Sequence, residues 1–144
     1  PLRTNEDVKA LQKALADGII DIIATDHAPH HYDEKDVEFD KAAFGMVGLE
    51  TALGLVLTHL VGTGKLSLSD MVERMSTAPA RLLGLNLGTL APESPADITV
   101  IDPELSWTVD PDKFYSKGKN TPFKDCKLTG KAVMTIVNGK IVSP

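Results

Sequence analysis

Asp26, His27, His30 and His31 fall inside the stretch "IIATDHAPHH" from Ile22 to His31. Carboxylate and imidazole are the donors that borderline divalent metals such as zinc accept. The same side chains can move protons near neutral pH. They are also common in solvated turns, so the stretch reads either as a polar loop rich in turn formers or as the edge of a metal site. Four residues on one loop do not complete such a site.

The elements before and after the stretch bear on that choice. Thr4 precedes Asn5, Glu6 and Asp7, a hydroxyl cap followed by acids in the first turn, where the helix dipole favours them. Val8, Leu11 and Leu15 follow at helical spacing and Gly18 can end the helix in a left-handed conformation. The spacing predicts a helix over 5–17. "IIDIIA" from Ile19 to Ala24 is short, apolar and β-branched, as expected of a strand buried on both faces of a parallel sheet. Helix, glycine turn and buried strand make an αβ unit, and in such folds chemistry sits at the carboxyl ends of strands. Asp26 falls there. From His27 to Met46 the chain is polar and irregular, a length more usual in functional loops than in simple links.

Leu49 to Val61 has the length and composition of a well-buried helix, closed by "GTG" at 62–64. Ser69 is expected to cap a second helix carrying Met71, Val72, Met75 and, after Pro79, Leu82 and Leu83. After Gly84 prolines punctuate the short strand-like runs "DITVID", "SWTV", "KLTG" and "VMTIVNGKIV". Asn138-Gly139 between alternating apolar residues is a strong hairpin signal. A β-rich module is therefore expected after a boundary near 85–90.

Composition bounds the function. A hydrophobic content of 42% over 144 residues is enough to bury a core. A formal charge of -5 leaves no basic stripe for a phosphate backbone. The single cysteine, Cys126, forms no internal disulfide and fits a reducing compartment. Leu49–Val61 is shorter than the ~20 residues of a spanning helix and carries Glu50, Thr58 and His59. The opening at Pro1, with no element before the first helix, reads as a portion of a longer protein.

"DIIATDHAPH", followed by "DEK" at 33–35 and "FGMVGLET" at 44–51, resembles the C-terminal signature of the dihydroorotases within the cyclic amidohydrolase superfamily. "PLRTNEDVKAL", "TAPARLLGL", "GTLAPESPADITVID" and "NTPF" at 120–123 are similar to family segments in the same order. The resemblance spans essentially the whole chain and implies its fold: α/β, the C-terminal part of a (β/α)8 barrel over residues 1–84, followed over 85–144 by strands of a small β-sandwich domain. It implies that Asp26 is the catalytic general acid/base and a metal ligand, that His30 holds the substrate carboxylate, and that Phe44 and Gly45 bind the pyrimidine ring through their backbone. His27 and His31 are not carried over as ligands and read as loop structure and solvent contact. His59, inside an apolar helix, reads as a hydrogen-bonded helix residue, and Ser94 stands where the family commonly has glycine.

The implied activity is reversible ring closure of N-carbamoyl-L-aspartate to L-dihydroorotate in de novo pyrimidine synthesis, in the cytoplasm. One or two zinc ions would acidify the attacking water. The family's HxH pair, its bridging carboxylate, its two further metal histidines and its arginine and asparagine substrate contacts match nothing in these 144 residues. The partners implied are the small-molecule substrate and the remaining N-terminal part of the same protein, with a homodimer allowed. The chain by itself is expected to be inactive and not to hold zinc alone. A non-catalytic dihydroorotase-like structural subunit is an alternative, as is another cyclic amidohydrolase such as a dihydropyrimidinase or allantoinase. "HAPH" with the downstream "EK" and "FG..GLET" favours dihydroorotase over those.

Overall fold

The computed structural model describes residues 4–143; Pro1 to Arg3, the start of "PLRTNEDVKAL", and Pro144 lie outside the described residues. Helix α1 spans Asn5–Ala16 and is capped as expected. The Thr4 hydroxyl accepts the Asp7 N–H, and the Asp7 carboxylate accepts the Thr4 N–H at 3.0 Å. Two orphan donors are thus satisfied reciprocally. Gly18 leaves the helix at φ 77, and Ala14 accepts the N–H groups of Ile19 and Ile20.

The segment that follows departs from expectation. Ile19 to Ala24 is extended, but it is neither a paired strand nor buried: Ile19 is 73% exposed, while Ile20, Ile22 and Ile23 are half-buried. The cause is the lack of neighbours, since no strand flanks it among the described residues. A parallel strand is buried only by strands on its edges and helices on its faces. Its anchor here is Arg74, whose carbonyl accepts the Ile23 N–H at 3.1 Å and whose guanidinium donates to the Ile20 carbonyl.

After the loop, a short helix α2 (Tyr32–Lys35) precedes α3 (Leu49–Val56), which runs on as a π-helical turn over Leu57–Val61. Together the last two cover the predicted helix. Helix α4 (Leu68–Val72) also continues as a π turn, Glu73–Thr77, into α5 (Ala78–Leu82). The residue that caps α4 is Ser67, not Ser69. Ser67 has Asp70 three residues on and completes a reciprocal box, with its hydroxyl accepting the Asp70 N–H at 3.0 Å.

The strand-like runs merge in pairs. Strand β1 (Ile98–Thr108) joins the first two through an irregularity between Asp102 and Ser106, and β2 (Lys127–Val137) joins the next two. The turn at Asn138-Gly139, with φ 48 and 74, leads into β3 (Lys140–Ser143), as a two-residue hairpin requires. The result is one antiparallel sheet of order β1-β2-β3 among the described residues.

Two apolar clusters hold the sheet to the helices. Val47, Val109, Phe114 and Leu128 form one, with Leu55, Trp107 and Phe123 against it. Val56, Leu57 and Met71 form the other, joined by Ile23, Leu53, Met75 and Ile101. Each draws on residues from both sides of position 85. The approach is close: a Cβ on Gly130, at φ 92, would overlap the Leu57 side chain, so only glycine allows β2 this near the helix. Thr58 fixes the register, its hydroxyl donating to the Thr129 carbonyl at 3.2 Å and accepting the Thr129 N–H at 2.8 Å. This seam places the 109–126 connection beside the loop that carries the histidines.

Candidate active site

Asp26 ends the extended segment with φ 46, a left-handed backbone that aspartate tolerates better than most residues. Its side chain is exposed and makes no hydrogen bond or ion pair among the described residues. An unengaged carboxylate at a strained backbone position holds no part of the fold together. It is available to a ligand or a proton.

The loop after Asp26 is closed at its base. His27 and Met46 form a parallel bridge, and the Ala28 N–H donates to the Met46 carbonyl at 2.9 Å. His27 is consumed by structure: its Nδ1 accepts the N–H groups of Gly48 at 3.0 Å and Leu49 at 3.3 Å, capping α3. His31 caps α2 in the same manner, accepting the Asp33 N–H at 3.3 Å. His59 is exposed in the π turn of the α3 helix.

His30 differs from these. Its Nδ1 lies 3.1 Å from Glu34 Oε2, one helical turn on, and its ring is largely but not wholly covered. Nε2 lies against Gly45, where a Cβ would come within 3.1 Å of it. That Cβ would also meet Ala28 Cβ and Ala28 O at 2.8 Å, and Gly45 has φ 125. Glycine is thus required twice at this position, by conformation and by space. Phe44, immediately before it, is 97% exposed, so its packing does not fix the turn.

Two residues that lie in the "DEK" and "NTPF" segments, but had no role assigned from sequence, hold the turn instead. Lys35 donates to the Gly45 carbonyl at 3.0 Å and to the Ala43 carbonyl. Asn120 donates its side-chain amide to the Gly45 carbonyl at 2.8 Å, and its own carbonyl accepts the Val47 N–H at 2.9 Å. The Gly45 N–H has no partner among the described residues. His30, Lys35 and Asn120 line a cavity of about 300 Å³ with Lys117 and Lys119. The arrangement brings His30, Lys35 and Asn120 to one cavity, with Gly45 close against the His30 ring. Three lysines and the imidazole outnumber the one carboxylate on the lining, Asp36, and that balance suits an anionic guest. Glu34 is held below the usual carboxylate range, first by its hydrogen bond with His30 and then by the His31 N–H, which it accepts at 3.3 Å. Its place four residues after His30 was the signal available in the sequence.

Asp26 has the donor chemistry of a metal ligand and nothing competing for it. Among the described residues no group of three or more His, Cys, Asp or Glu side chains is placed to hold a metal ion. No helix among them is long and apolar enough to cross a membrane.

Comparison with known proteins adds to this geometry. The profile of the amidohydrolase family matches residues 2–142. A dihydroorotase from Geobacter metallireducens and one from Pelotomaculum thermopropionicum are each 58% identical over 142 residues, which is 99% of this chain and 33% of theirs. The chain therefore spans about a third of the length of the curated relatives it matches. Among solved structures, an L-hydantoinase (dihydropyrimidinase) from Arthrobacter aurescens superposes with a TM-score of 0.92 at 37% identity, over 99% of this chain and 33% of that one. A dihydropyrimidinase from Brevibacillus agri gives 0.91 at 28%, over 99% and 32%. This likeness is consistent with part of an α/β barrel.

Proposed function

The chain belongs to the amidohydrolase family, and from that premise we propose that it is the C-terminal portion of a dihydroorotase, carrying the general acid/base and the carboxylate-binding side of the site. The observation that carries the reading is the single turn in which His30 Nε2 meets the Gly45 backbone, four residues beyond an unengaged Asp26 carboxylate. The 58% identity to dihydroorotases supports that substrate over those of the hydantoinases, which are similar at 37% or less.

Asp26 is the one metal ligand this chain would contribute. Zinc, when bound in the complete protein, would supply a water acidified towards neutral pH. In the hydrolytic direction Asp26 takes the proton from the attacking water and delivers it to the leaving ring nitrogen, base first and acid second. Its exposed, unpaired carboxylate leaves both oxygens available for those tasks. His30 holds the substrate carboxylate from its Nε2 side with a charge-assisted bond. The Phe44-Gly45 backbone binds the ring: Lys35 and Asn120 occupy the Gly45 carbonyl and orient the peptide, and the unpartnered Gly45 N–H is the donor left over. In the reverse direction the same groups close N-carbamoyl-L-aspartate with loss of water, in the cytoplasm, as a step of pyrimidine synthesis.

We assign residues 1–84 to the closing part of the barrel and 85–144 to a small β domain. Sheet β1-β2-β3 is one layer of that domain, and strands from the rest of the protein complete its sandwich. Neighbouring barrel strands from the same source would bury Ile19–Ala24. A homodimer is compatible with this arrangement.

The test is an absorbance assay of dihydroorotate hydrolysis with added zinc. It is run on the full-length protein, on the 144-residue chain, and on that chain mixed with the remaining polypeptide. Turnover by the full-length protein and by the mixture, with none by the chain alone, is expected. A folded but inert full-length protein would instead identify a structural subunit.

A further inference from the structure

His30 cannot hold an anion in every protonation state. Glu34 accepts the His31 N–H at 3.3 Å and sits 3.1 Å from His30 Nδ1. Its carboxyl is held below its usual range, so at neutral pH it is ionised and only accepts. Nδ1 must therefore be the donor. A neutral imidazole with its proton on Nδ1 presents a lone pair at Nε2, which opposes a carboxylate. An imidazolium presents Nε2–H.

We propose that Glu34 is the positioning residue for His30: it accepts the Nδ1–H hydrogen bond, so that His30 meets an anionic substrate as imidazolium, with Nε2–H offered beside Gly45. This rests on the reading of His30 as the residue that holds the substrate carboxylate. Where free His30 is neutral, carboxylate binding draws one proton from solvent onto Nε2, and departure of the carboxylate releases it. Glu34 stabilises that proton through the shared ring, as a carboxylate behind an imidazole does.

The other charged groups on this cavity are already engaged, with one exception. Tyr32 donates to Asp36 at 2.7 Å, Lys35 bonds the Ala43 and Gly45 carbonyls, and Lys119 donates to the Phe114 carbonyl at 2.6 Å. Lys117 is the exception; like Lys35 and Lys119, whose bonds to neutral carbonyls leave their charges in place, it opposes protonation of His30, while the Asp36 carboxylate favours it. Replacing Glu34 by glutamine leaves these charges in place. It keeps an oxygen for Nδ1–H and for the His31 N–H, and removes only the negative charge.

The experiment measures KM and kcat for dihydroorotate in the full-length protein between about pH 6 and 9, for wild type, Glu34→Gln, Glu34→Asp and His30→Ala. The Glu34→Gln KM should match wild type at the acid end of this range. It should rise about tenfold above wild type at the alkaline end, with kcat changed less than KM. Glu34→Asp, which restores the charge, should return KM part of the way. A purely structural role in capping α2 predicts the same KM ratio at every pH, and that result, or no change at any pH, would overturn the proposal. Wild-type turnover with His30→Ala raising KM and a flat Glu34→Gln profile overturns this inference alone. Absence of wild-type turnover, or an unchanged KM in His30→Ala, overturns the reading of the site and this inference with it.

Discussion

Asn120 reaches across 75 residues of sequence to donate its side-chain amide to the Gly45 carbonyl at 2.8 Å. Its own carbonyl receives the Val47 N–H at 2.9 Å, so one residue spans both sides of Met46. The connection between β1 and β2 thereby sets the shape of the turn beside His30. Replacing Asn120 by alanine removes one of the two donors to the Gly45 carbonyl and leaves it Lys35, a loss of about 0.5–1.5 kcal/mol. Urea unfolding of the full-length protein should show that loss, and amide exchange should accelerate at 44–47 more than in α3. Equal protection at 44–47 would show that Lys35 alone holds the turn.

Gly45→Ala tests the other requirement of that turn. The new methyl would stand 2.8 Å from Ala28 Cβ and Ala28 O and 3.1 Å from His30 Nε2, at φ 125. Backbone on one side and the imidazole on the other must give way. The expected outcome is a KM for dihydroorotate raised at least tenfold, with far-UV circular dichroism unchanged; each factor of ten is ~1.4 kcal/mol of lost binding. A variant with normal KM would place the ring-binding backbone elsewhere.

Asp26→Asn separates chemistry from folding. The Asp26 carboxylate is exposed and has no protein partner, and asparagine accepts the left-handed φ of 46 that alanine resists. Stability should stay within ~0.5 kcal/mol of wild type. Turnover should fall by ~10² to 10⁴ for the lost acid/base alone. Equal losses of both would reassign Asp26 to structure.

Ser67 and Asp70 give a pH signature remote from the site. The Ser67 hydroxyl and N–H lower the Asp70 carboxyl below its usual value. A group depressed in the folded state stabilises above its unfolded pKa, and that contribution is lost as pH falls through the folded value. Ser67→Ala should therefore cost more stability at neutral pH than at acid pH below the Asp70 titration, where only the neutral cap on the Asp70 N–H is lost. An NMR titration of Asp70 should move upward in the variant. A cost independent of pH would mean that the serine acts only as a neutral cap.

Legibility in the sequence followed the range of the interaction. Helix α1 with its Thr4 cap and the Asn138-Gly139 hairpin are set by neighbours a few residues apart, and both stand where spacing put them. The α4 cap was misplaced by two residues because Ser67 and Ser69 are both hydroxyls, and only the i+3 acid at Asp70 distinguishes them. Ile19–Ala24 carries a buried-strand composition, but no strand flanks it among the described residues. Within the site, residue type marked Asp26, His27, His30 and His31 alike, and only the family resemblance separated Asp26 and His30 from the other two. His27 and His31 proved to be caps of α3 and α2, a role that depends on where the loop returns. Asn120 was legible only as part of the "NTPF" motif, because its partner lies 75 residues away.

The direct test of the central claim is a comparison of kcat/KM for L-dihydroorotate and for dihydrouracil, the same ring without the carboxylate, using the full-length protein and its His30→Ala variant. A site in which His30 holds the substrate carboxylate predicts a preference for dihydroorotate of at least about a hundredfold, the worth of one charge-assisted contact of 1.5–3 kcal/mol together with the penalty of an unpaired partner. That preference should collapse in His30→Ala. Equal use of the two substrates by wild type, or a preference for dihydrouracil, would contradict the account and place the protein with the dihydropyrimidinases.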